Sequence, residues 1–250
     1  GLLGLWNRNG GARHFAETLA SRFVRSRLSA KVFAWCMGVF FHQGGTISTV
    51  LAGTTVKPVA DKHGVAHEEL AYIVDSTASP VATLIPFNVW PVYVAGLITI
   101  APLSMIVPNE EAAIGLFLAA IPFNFYAIFA VLMTLLFAFD RLPLLGTPMT
   151  KVVQRIQSSG ELDAPKANPM TRELTVSDVP KGYHASVVDF LVPIGVLLGF
   201  CIIPIVLGQS PMVFEGFGMA VMAACLTSVL RGMSIQTAFD AMVTGIKGVT

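Results

Sequence analysis

Charged residues are scarce in this sequence. They make up 12% of its 250 residues, whereas about 25% is usual in a soluble domain. Apolar residues make up 54% of the chain, with 22 glycines and 17 phenylalanines, and the mean hydropathy is +0.70. These values are typical of proteins whose outer faces meet lipid instead of water. The composition therefore argues against a solvated globule and predicts an all-α, polytopic membrane protein.

Cysteine is also scarce, and neither sign of charge is in excess. The three cysteines stand singly in apolar stretches without CxxC spacing, so the sequence indicates neither a disulfide framework nor a thiolate metal site; they are Cys36, Cys201 and Cys225. Sixteen Lys and Arg against fifteen Asp and Glu give a net charge of +1, which provides no basic field for nucleic acid. We expect no nucleic-acid partner, no organic cofactor and no enzymatic activity.

Hydropathy divides the chain into four parts. Residues 1–31 read as the end of an upstream transmembrane helix followed by a basic amphipathic helix in the membrane interface, and we expect the chain to be part of a longer protein. A first group of membrane helices follows at 32–139, a polar connector at 140–184, and the start of a second group at 185–250. The apolar segments predicted to cross or enter the membrane are 32–56, 70–106, 112–139, 185–207 and 212–230.

One apolar segment is too long to be a single membrane helix. A helix over residues 70–106 would be about 55 Å long at about 1.5 Å per residue, against a hydrocarbon core of about 30 Å. We therefore predict a break, either at Ser79-Pro80 or at Pro86-Phe87-Asn88.

The two ends of the chain share a faint sequence repeat. Residues 5–23 pass from an apolar end through Asn, Arg and Gly into an amphipathic helix, and residues 226–248 do the same. Such a recurrence is typical of transporters built from two related halves.

Asp75 is the most informative residue, because it stands inside an apolar run and is followed at once by hydroxyls. An ionised carboxylate at the bilayer centre costs about 2.5–3.5 kcal/mol on insertion scales, so it normally has a partner, a proton or a bound cation. Pro80 removes one intrahelical hydrogen bond nearby, and the freed carbonyl adds a further oxygen ligand. We predict a cation site for Na⁺ or H⁺, with the ligands Asp75, Ser76, Thr77 and Ser79. The competing interpretation is a kinked helix in which Asp75 pairs with Lys57 or a nearby Arg.

The preceding segment is also rich in polar side chains. Gly44-Gly45 interrupts an apolar helix and is followed by a dense run of hydroxyls, of which Thr46 and Thr49 are predicted to join the cation site. Three further residues are predicted to relay protons or to act as a gate, namely His42, Lys57 and Asp61.

At this point the sequence resembles a known family. The run LAYIVDSTASP (residues 70–80), with AGTTVKPVADKHG before it and IPFNVW after it, is similar to the signature stretch of the NhaC-like sodium/proton antiporters in the ion-transporter superfamily. The resemblance implies a multi-pass cytoplasmic-membrane protein with inverted repeats, each holding a re-entrant hairpin and a broken helix. Val32 to Pro58 would form the hairpin, and the broken helix would carry Asp75, which binds Na⁺.

The sequence departs from that family beside the glycine pair. Many relatives have an acidic pair there, where this chain has His42 and Gln43. The leading hypothesis remains Na⁺/H⁺ exchange by alternating access around Asp75, with the lipid bilayer, Na⁺ and H⁺ as partners and homo-oligomers allowed. The loss of the acidic pair keeps open a Na⁺-coupled symporter of a small carboxylate. A third hypothesis is a membrane-embedded metalloenzyme that uses His63, His67 and His42.

Overall fold

A computed structural model describes residues 1–42, 45–86, 88, 90–100, 107, 109–142, 145–165, 167, 179–209 and 212–247. The described residues contain helices and loops but no β-strand, which confirms the predicted all-α class. They form two compact units. One unit consists of residues 1–19 and 170–250, and the other of residues 20–169.

The unit of residues 20–169 is built around three helices that pack on one another, α3, α4 and α5. A further helix, α8, packs on α5 and α3, while α6 pairs with α7 and α9 meets α5. A short 3₁₀ turn, Ile121–Phe123, precedes α8. The helices are α3 (Arg27–Phe40), α4 (Gly45–Lys62), α5 (His67–Leu84), α6 (Trp90–Ile100), α7 (Glu110–Ala120), α8 (Phe125–Ala138) and α9 (Thr147–Ser159).

Local sequence accounts for where these helices begin and how closely they pack. Helix α3 starts at Ser26, whose hydroxyl accepts a hydrogen bond from the Ser29 amide while the Ser29 hydroxyl accepts from the Ser26 amide. Farther along, Gly38 lies against Thr77 of α5, and a Cβ at position 38 would stand 1.9 Å from the Thr77 hydroxyl. Only glycine permits this approach of α3 to α5.

The predicted break in the long apolar segment lies at the second of the two sites. Helix α5 continues through Pro80 to Leu84, and α6 begins at Trp90. Between them, the buried Asn88 donates to the carbonyls of Ala82 and Ile85, both at 2.7 Å, and accepts from the Trp90 amide at 2.8 Å. The Asn88 amide thus supplies the hydrogen bonds that the interrupted helix loses.

In the unit of residues 1–19 and 170–250, α10 packs on α11, and α1 packs on both α11 and α12. The ring of Phe190 in α10 lies 4.7 Å from both Trp6 and Phe15, between centroids. The helices that contribute are α1 (Leu2–Asn9), the first part of α2 (Gly11–Phe23), α10 (Val188–Val206), α11 (Val213–Leu230) and α12 (Ile235–Lys247).

The faint repeat in the sequence has a matching local geometry. Helix α1 ends at Gly10, with φ of 67°, and is followed by the 13-residue helix α2. Helix α11 is followed by Gly232, with φ of 103°, and then by the 13-residue helix α12. Both glycines adopt the left-handed backbone that reverses the chain after a helix.

Few helices have the length of a complete membrane span. Among the described residues, α11 is the one helix long and apolar enough, and a second span results if α7 and α8, bent by 49° at their junction, count as one. The multi-pass topology therefore stays a prediction.

The segment predicted as a polar connector, residues 140–184, is partly ordered. Helix α9 forms within it and packs on α5, while the predicted role of residues 140–184 as a connector stays a prediction. Residues 168–178 lie outside the described residues.

Candidate functional site

Asp75 lies on the exposed face of α5, in the middle of the helix. Ser79 is exposed one turn later and Ala71 one turn earlier, so the three residues form a stripe at the i, i+4 spacing of a helix face. The stripe is the uncovered side of a helix whose other faces pack against α3, α4 and α8. The neighbouring hydroxyl of Ser76 is partly buried.

Asp75 differs from the other two acids of α5. Glu68 is paired with Arg155 at 2.7 Å and the fully buried Glu69 with Arg27 at 2.5 Å. No hydrogen bond or ion pair connects Asp75 to another residue in the part of the chain that the structure describes, and the predicted alternative pairing with Lys57 is not seen there. Its carboxylate is thus placed to take a ligand.

Pro80 leaves one backbone oxygen of α5 without its helical partner. The carbonyl of Ser76 would accept from the amide of residue 80, and proline has none. One turn later, the Thr83 hydroxyl donates to the Pro80 carbonyl at 2.8 Å. The Ser76 carbonyl, which belongs to the residue after Asp75, therefore has no amide donor at position 80.

Thr77 is used in a different way from its predicted role. It is fully buried, and its hydroxyl donates to the carbonyls of Ile73, at 2.6 Å, and Val74, at 3.1 Å. It also fills the space beside Gly38. These contacts place Thr77 on the packed side of α5, away from the stripe of Asp75 and Ser79.

Thr49 of α4 has an unusual hydroxyl. Several helical threonines in the described residues donate back to the carbonyl four residues earlier, as Thr99, Thr134 and Thr227 do. The Thr49 hydroxyl is buried and has no hydrogen-bond partner within the described part of the chain. A buried polar atom without a partner costs about 1–3 kcal/mol, so Thr49 marks a place where a ligand would be stabilised. The side chain of Thr46 lies outside the described residues.

His42 carries a second buried atom of this kind. Its Nδ1 is 2.7 Å from the Val39 carbonyl, which requires Nδ1 to be the donor. The other ring nitrogen, Nε2, is buried without a hydrogen-bond partner among the described residues. In the neutral ring Nε2 is a free acceptor, as a proton relay requires.

Two of the three residues predicted to relay protons or to act as a gate, Lys57 and Asp61, lie on α4. Lys57 is partly buried in α4, and Asp61 is bonded to His67, its Oδ1 lying 2.8 Å from Nε2. His67 Nδ1 lies 2.6 Å from Asp163. Because both ring nitrogens of His67 face carboxylates, His63 and His67 do not form a two-histidine metal pair in this arrangement. No cluster of metal-ligating side chains occurs within the described ranges.

Sequence reasoning missed a buried charge network at the start of α3 and α5. Lys31 is fully buried, with Nζ 2.5 Å from Asp140 and 3.3 Å from Glu69, and it lies 4.2 Å from the centroid of the Phe137 ring. Arg27 completes the network at Glu69. The four charges cancel, and their partners are too far apart in sequence for any spacing rule to find them.

A second missed cluster lies in the unit of residues 1–19 and 170–250. Asp189 is fully buried, pairs with Arg231 at 3.1 Å and accepts from the Ser186 amide. Burial, followed by the Asp189 carboxylate, raises the pKa of Tyr183 to about 12, so its phenol stays neutral at physiological pH. Asp189 lies in the first turn of α10, where a carboxylate is stabilised by the positive end of the helix dipole.

Comparisons with known proteins place few limits on function. No family model matches the chain, and no solved structure matches it. An uncharacterized protein of Haemophilus influenzae is 34% identical over 140 residues, which is 55% of this chain and 26% of that protein. The match spans about a quarter of the relative's length, so the activity of the whole protein is a matter for proposal.

Proposed function

We propose that this chain is part of a secondary active transporter that exchanges Na⁺ for H⁺ across the cytoplasmic membrane by alternating access. The observation that carries the proposal is Asp75, which lies on the exposed face of α5 and has no hydrogen bond or ion pair to any residue that the structure describes, in contrast to the paired Glu68 and Glu69. An unpaired carboxylate within an apolar helix is a functional site by default in a membrane protein.

The proposal includes a multi-pass topology of the NhaC-like type that the signature stretch resembles. Helices α3 and α4 follow one another in the chain and pack on each other, and they would be the re-entrant hairpin. Helices α5 and α6, separated at Asn88, would be the broken helix. Irregular backbone at membrane depth is tolerated where it lines a buried site.

The ligand atoms available along α5 are hard oxygens. They are the Asp75 carboxylate, the hydroxyls of Ser76 and Ser79, and the Ser76 carbonyl freed by Pro80. Oxygen ligands of this kind suit small hard cations such as Na⁺. The buried Thr49 hydroxyl and the free Nε2 of His42 are further candidates on the neighbouring hairpin, for the cation and for the proton respectively.

Competition at one carboxylate would couple the two ions. A protonated Asp75 is neutral and binds Na⁺ weakly, while a Na⁺-bound Asp75 resists protonation. If only the occupied site changes the side of the membrane to which it opens, each transport cycle moves Na⁺ one way and H⁺ the other. No resident metal or organic cofactor is needed in this scheme.

The test is transport by the full-length protein in everted membrane vesicles, with Na⁺-driven proton movement followed by a pH-sensitive dye. Asp75→Asn should abolish the exchange, and Asp75→Glu should retain part of it with a shifted pH profile. The matched control is Glu17→Gln, which removes an exposed carboxylate paired with Arg13 and should leave exchange unchanged.

Two results would overturn the assignment. Full exchange in Asp75→Asn would show that this carboxylate does not bind the transported ions. Na⁺-dependent uptake of a radiolabelled small carboxylate, without proton exchange, would favour the symporter hypothesis instead.

A further inference from the structure

A four-residue sequence occurs twice in the unit of residues 20–169, each time at the interruption of a helix. Ile-Pro-Phe-Asn stands at residues 85–88, between α5 and α6, and again at residues 121–124, where α7 and α8 meet with a bend of 49°. Helix α5 packs on α8, and α6 packs on α7. This pairing brings the two interruptions side by side.

The first copy is closed by its own asparagine. Pro86 has no amide to donate to the Ala82 carbonyl, and Nδ2 of Asn88 donates to that carbonyl instead, at 2.7 Å. The same nitrogen donates to the Ile85 carbonyl, and Oδ1 accepts from the Trp90 amide. The side chain of Asn88 is thus used within its own interruption.

The asparagine of the second copy reaches the other helix. Oδ1 of Asn124 accepts from the Ala127 amide at 3.2 Å and caps α8, while Nδ2 donates to the Thr83 hydroxyl of α5 at 2.8 Å. The Thr83 hydroxyl in turn donates to the Pro80 carbonyl at 2.8 Å. Hydrogen bonds in series strengthen one another in a medium of low dielectric constant. The series therefore fixes the last turns of α5 to the start of α8.

This series ends at the turn of α5 that carries the proposed cation ligands. Ser79 directly precedes Pro80, and the Ser76 carbonyl is the one that has no amide donor at position 80. Because α5 lacks one of its own hydrogen bonds at this turn, contacts with neighbouring helices contribute more to its conformation.

We propose that Asn124 is a positioning residue for the cation site, and that it acts through Thr83 to fix the turn of residues 76–80 against α8. Asn124 does not touch the ion. It keeps the oxygens of Ser76 and Ser79 in place beside Asp75, and a cation site weakens when the groups that support its ligands are removed. This role rests on the proposed function, since the site is the Na⁺ site at Asp75.

The test measures Na⁺-driven proton movement in everted vesicles of the full-length protein over a range of Na⁺ concentrations. Asn124→Ser keeps a capping oxygen for α8 but is too short to reach Thr83, and Thr83→Val removes the hydroxyl at nearly constant shape. Each should raise the Na⁺ concentration for half-maximal exchange about three- to tenfold, as expected for the loss of one hydrogen bond, with the maximal rate largely retained. Thr83→Ser, which keeps the hydroxyl, should behave as the unsubstituted protein.

Two further variants separate positioning from general stability. Asn109→Ser is the matched control, because Asn109 caps α7 by accepting from the Ala112 amide at 2.9 Å and is exposed; its Na⁺ dependence should not change. The double variant Asn124→Ser/Thr83→Val should match Thr83→Val alone, because both substitutions interrupt the same series. If Asn124→Ser does not reach the membrane, Thr83→Val and Thr83→Ser make the comparison.

The positioning role is overturned if Asn124→Ser and Thr83→Val leave the half-maximal Na⁺ concentration unchanged while Asp75→Asn is inactive; the exchanger would then stand without it. A lower maximal rate alone would show that the two side chains only support the fold. Effects that multiply in the double variant would show that Asn124 does not act through Thr83. Full exchange in Asp75→Asn would instead remove the proposed cation site itself.

Discussion

Lys31 is the residue whose environment differs most from the one its sequence suggests. It stands in a basic segment that reads as interfacial, where lysine keeps its ammonium group in water. In the structure it is fully buried against Asp140, Glu69 and the Phe137 ring. A buried ammonium group is tolerated only when its charge is paired and hydrogen-bonded.

We expect Lys31→Met to destabilise the unit of residues 20–169 by about 1–3 kcal/mol, because it removes the cation shared by Glu69, which keeps Arg27, and by the half-exposed Asp140. The measurement is the apparent melting temperature of the purified full-length protein. Lys151→Met, which removes an exposed lysine of α9, is the control and should change little. The double variant Lys31→Met/Glu69→Gln should recover part of the loss, and no recovery would contradict a direct charge pairing.

From the sequence, a single residue could be proposed as functional only where an unusual side chain stands at an unusual place in the chain. Asp75 could be singled out because a carboxylate in an apolar run is rare. The Lys31 network could not be, since residues 31, 69 and 140 meet only after α3, α5 and α8 have packed. Thr77 resembles its neighbours in composition, and only the closeness of Gly38 decides that its hydroxyl faces inward.

At the scale of the helix, Asn88 determines where α5 gives way to α6. Ser79-Pro80 was one of the two predicted sites of the break in the long apolar segment, yet α5 continues through Pro80. A proline removes one hydrogen bond and leaves the rest of a helix intact, whereas the Asn88 side chain supplies three hydrogen bonds that stabilise the interrupted form.

We expect Asn88→Ala to lower the apparent melting temperature and to impair any transport activity. It removes the partner of the buried Ala82 carbonyl, at about 1–3 kcal/mol, and the bonds to the part-buried Ile85 carbonyl and Trp90 amide. The control is Asn109→Ala at the exposed start of α7, where the lost hydrogen bond to the Ala112 amide can be replaced by water. Thermal unfolding of the two purified variants makes the comparison. Equal losses would show that the Asn88 bonds do not hold the break.

The helices and their approximate limits follow from the sequence, and several functional contacts do not. Hydropathy indicated most of the helical segments, and the length of 70–106 required the break. The packing of α9 and of the segment after it could not be predicted, because its contacts, Arg155 with Glu68 and Asp163 with His67, are made by residues distant in sequence.

On the scale of the whole molecule, the apolar composition is distributed over many short helices. Helices α6 and α7 have 11 residues each and α8 has 14, and within the described ranges few helices are long and apolar enough to be complete spans. Several large apolar side chains remain exposed, among them Phe129 at 59% and Tyr126 at 78% on α8. Exposed apolar surfaces of this kind mark contact with lipid or with protein.

We expect the exposed face of α8 to contact lipid. In a background with the three native tryptophans replaced by phenylalanine, the fluorescence of Phe129→Trp in reconstituted full-length protein should be strongly quenched by brominated lipids. Gln154→Trp, on the exposed side of α9, is the control and should be quenched little. Equal, weak quenching at both positions would show that other parts of the protein cover this face.

The contact of Gly38 with Thr77 limits how this part of the molecule can move. The Thr77 hydroxyl of α5 occupies the space that a side chain at position 38 of α3 would fill, so α3 has no room to slide along α5. We expect these two helices to travel as one rigid body in any conformational cycle. The necessary bending would then fall on the two joints that flank α5, the turn at residues 63–66 and the interruption held by Asn88.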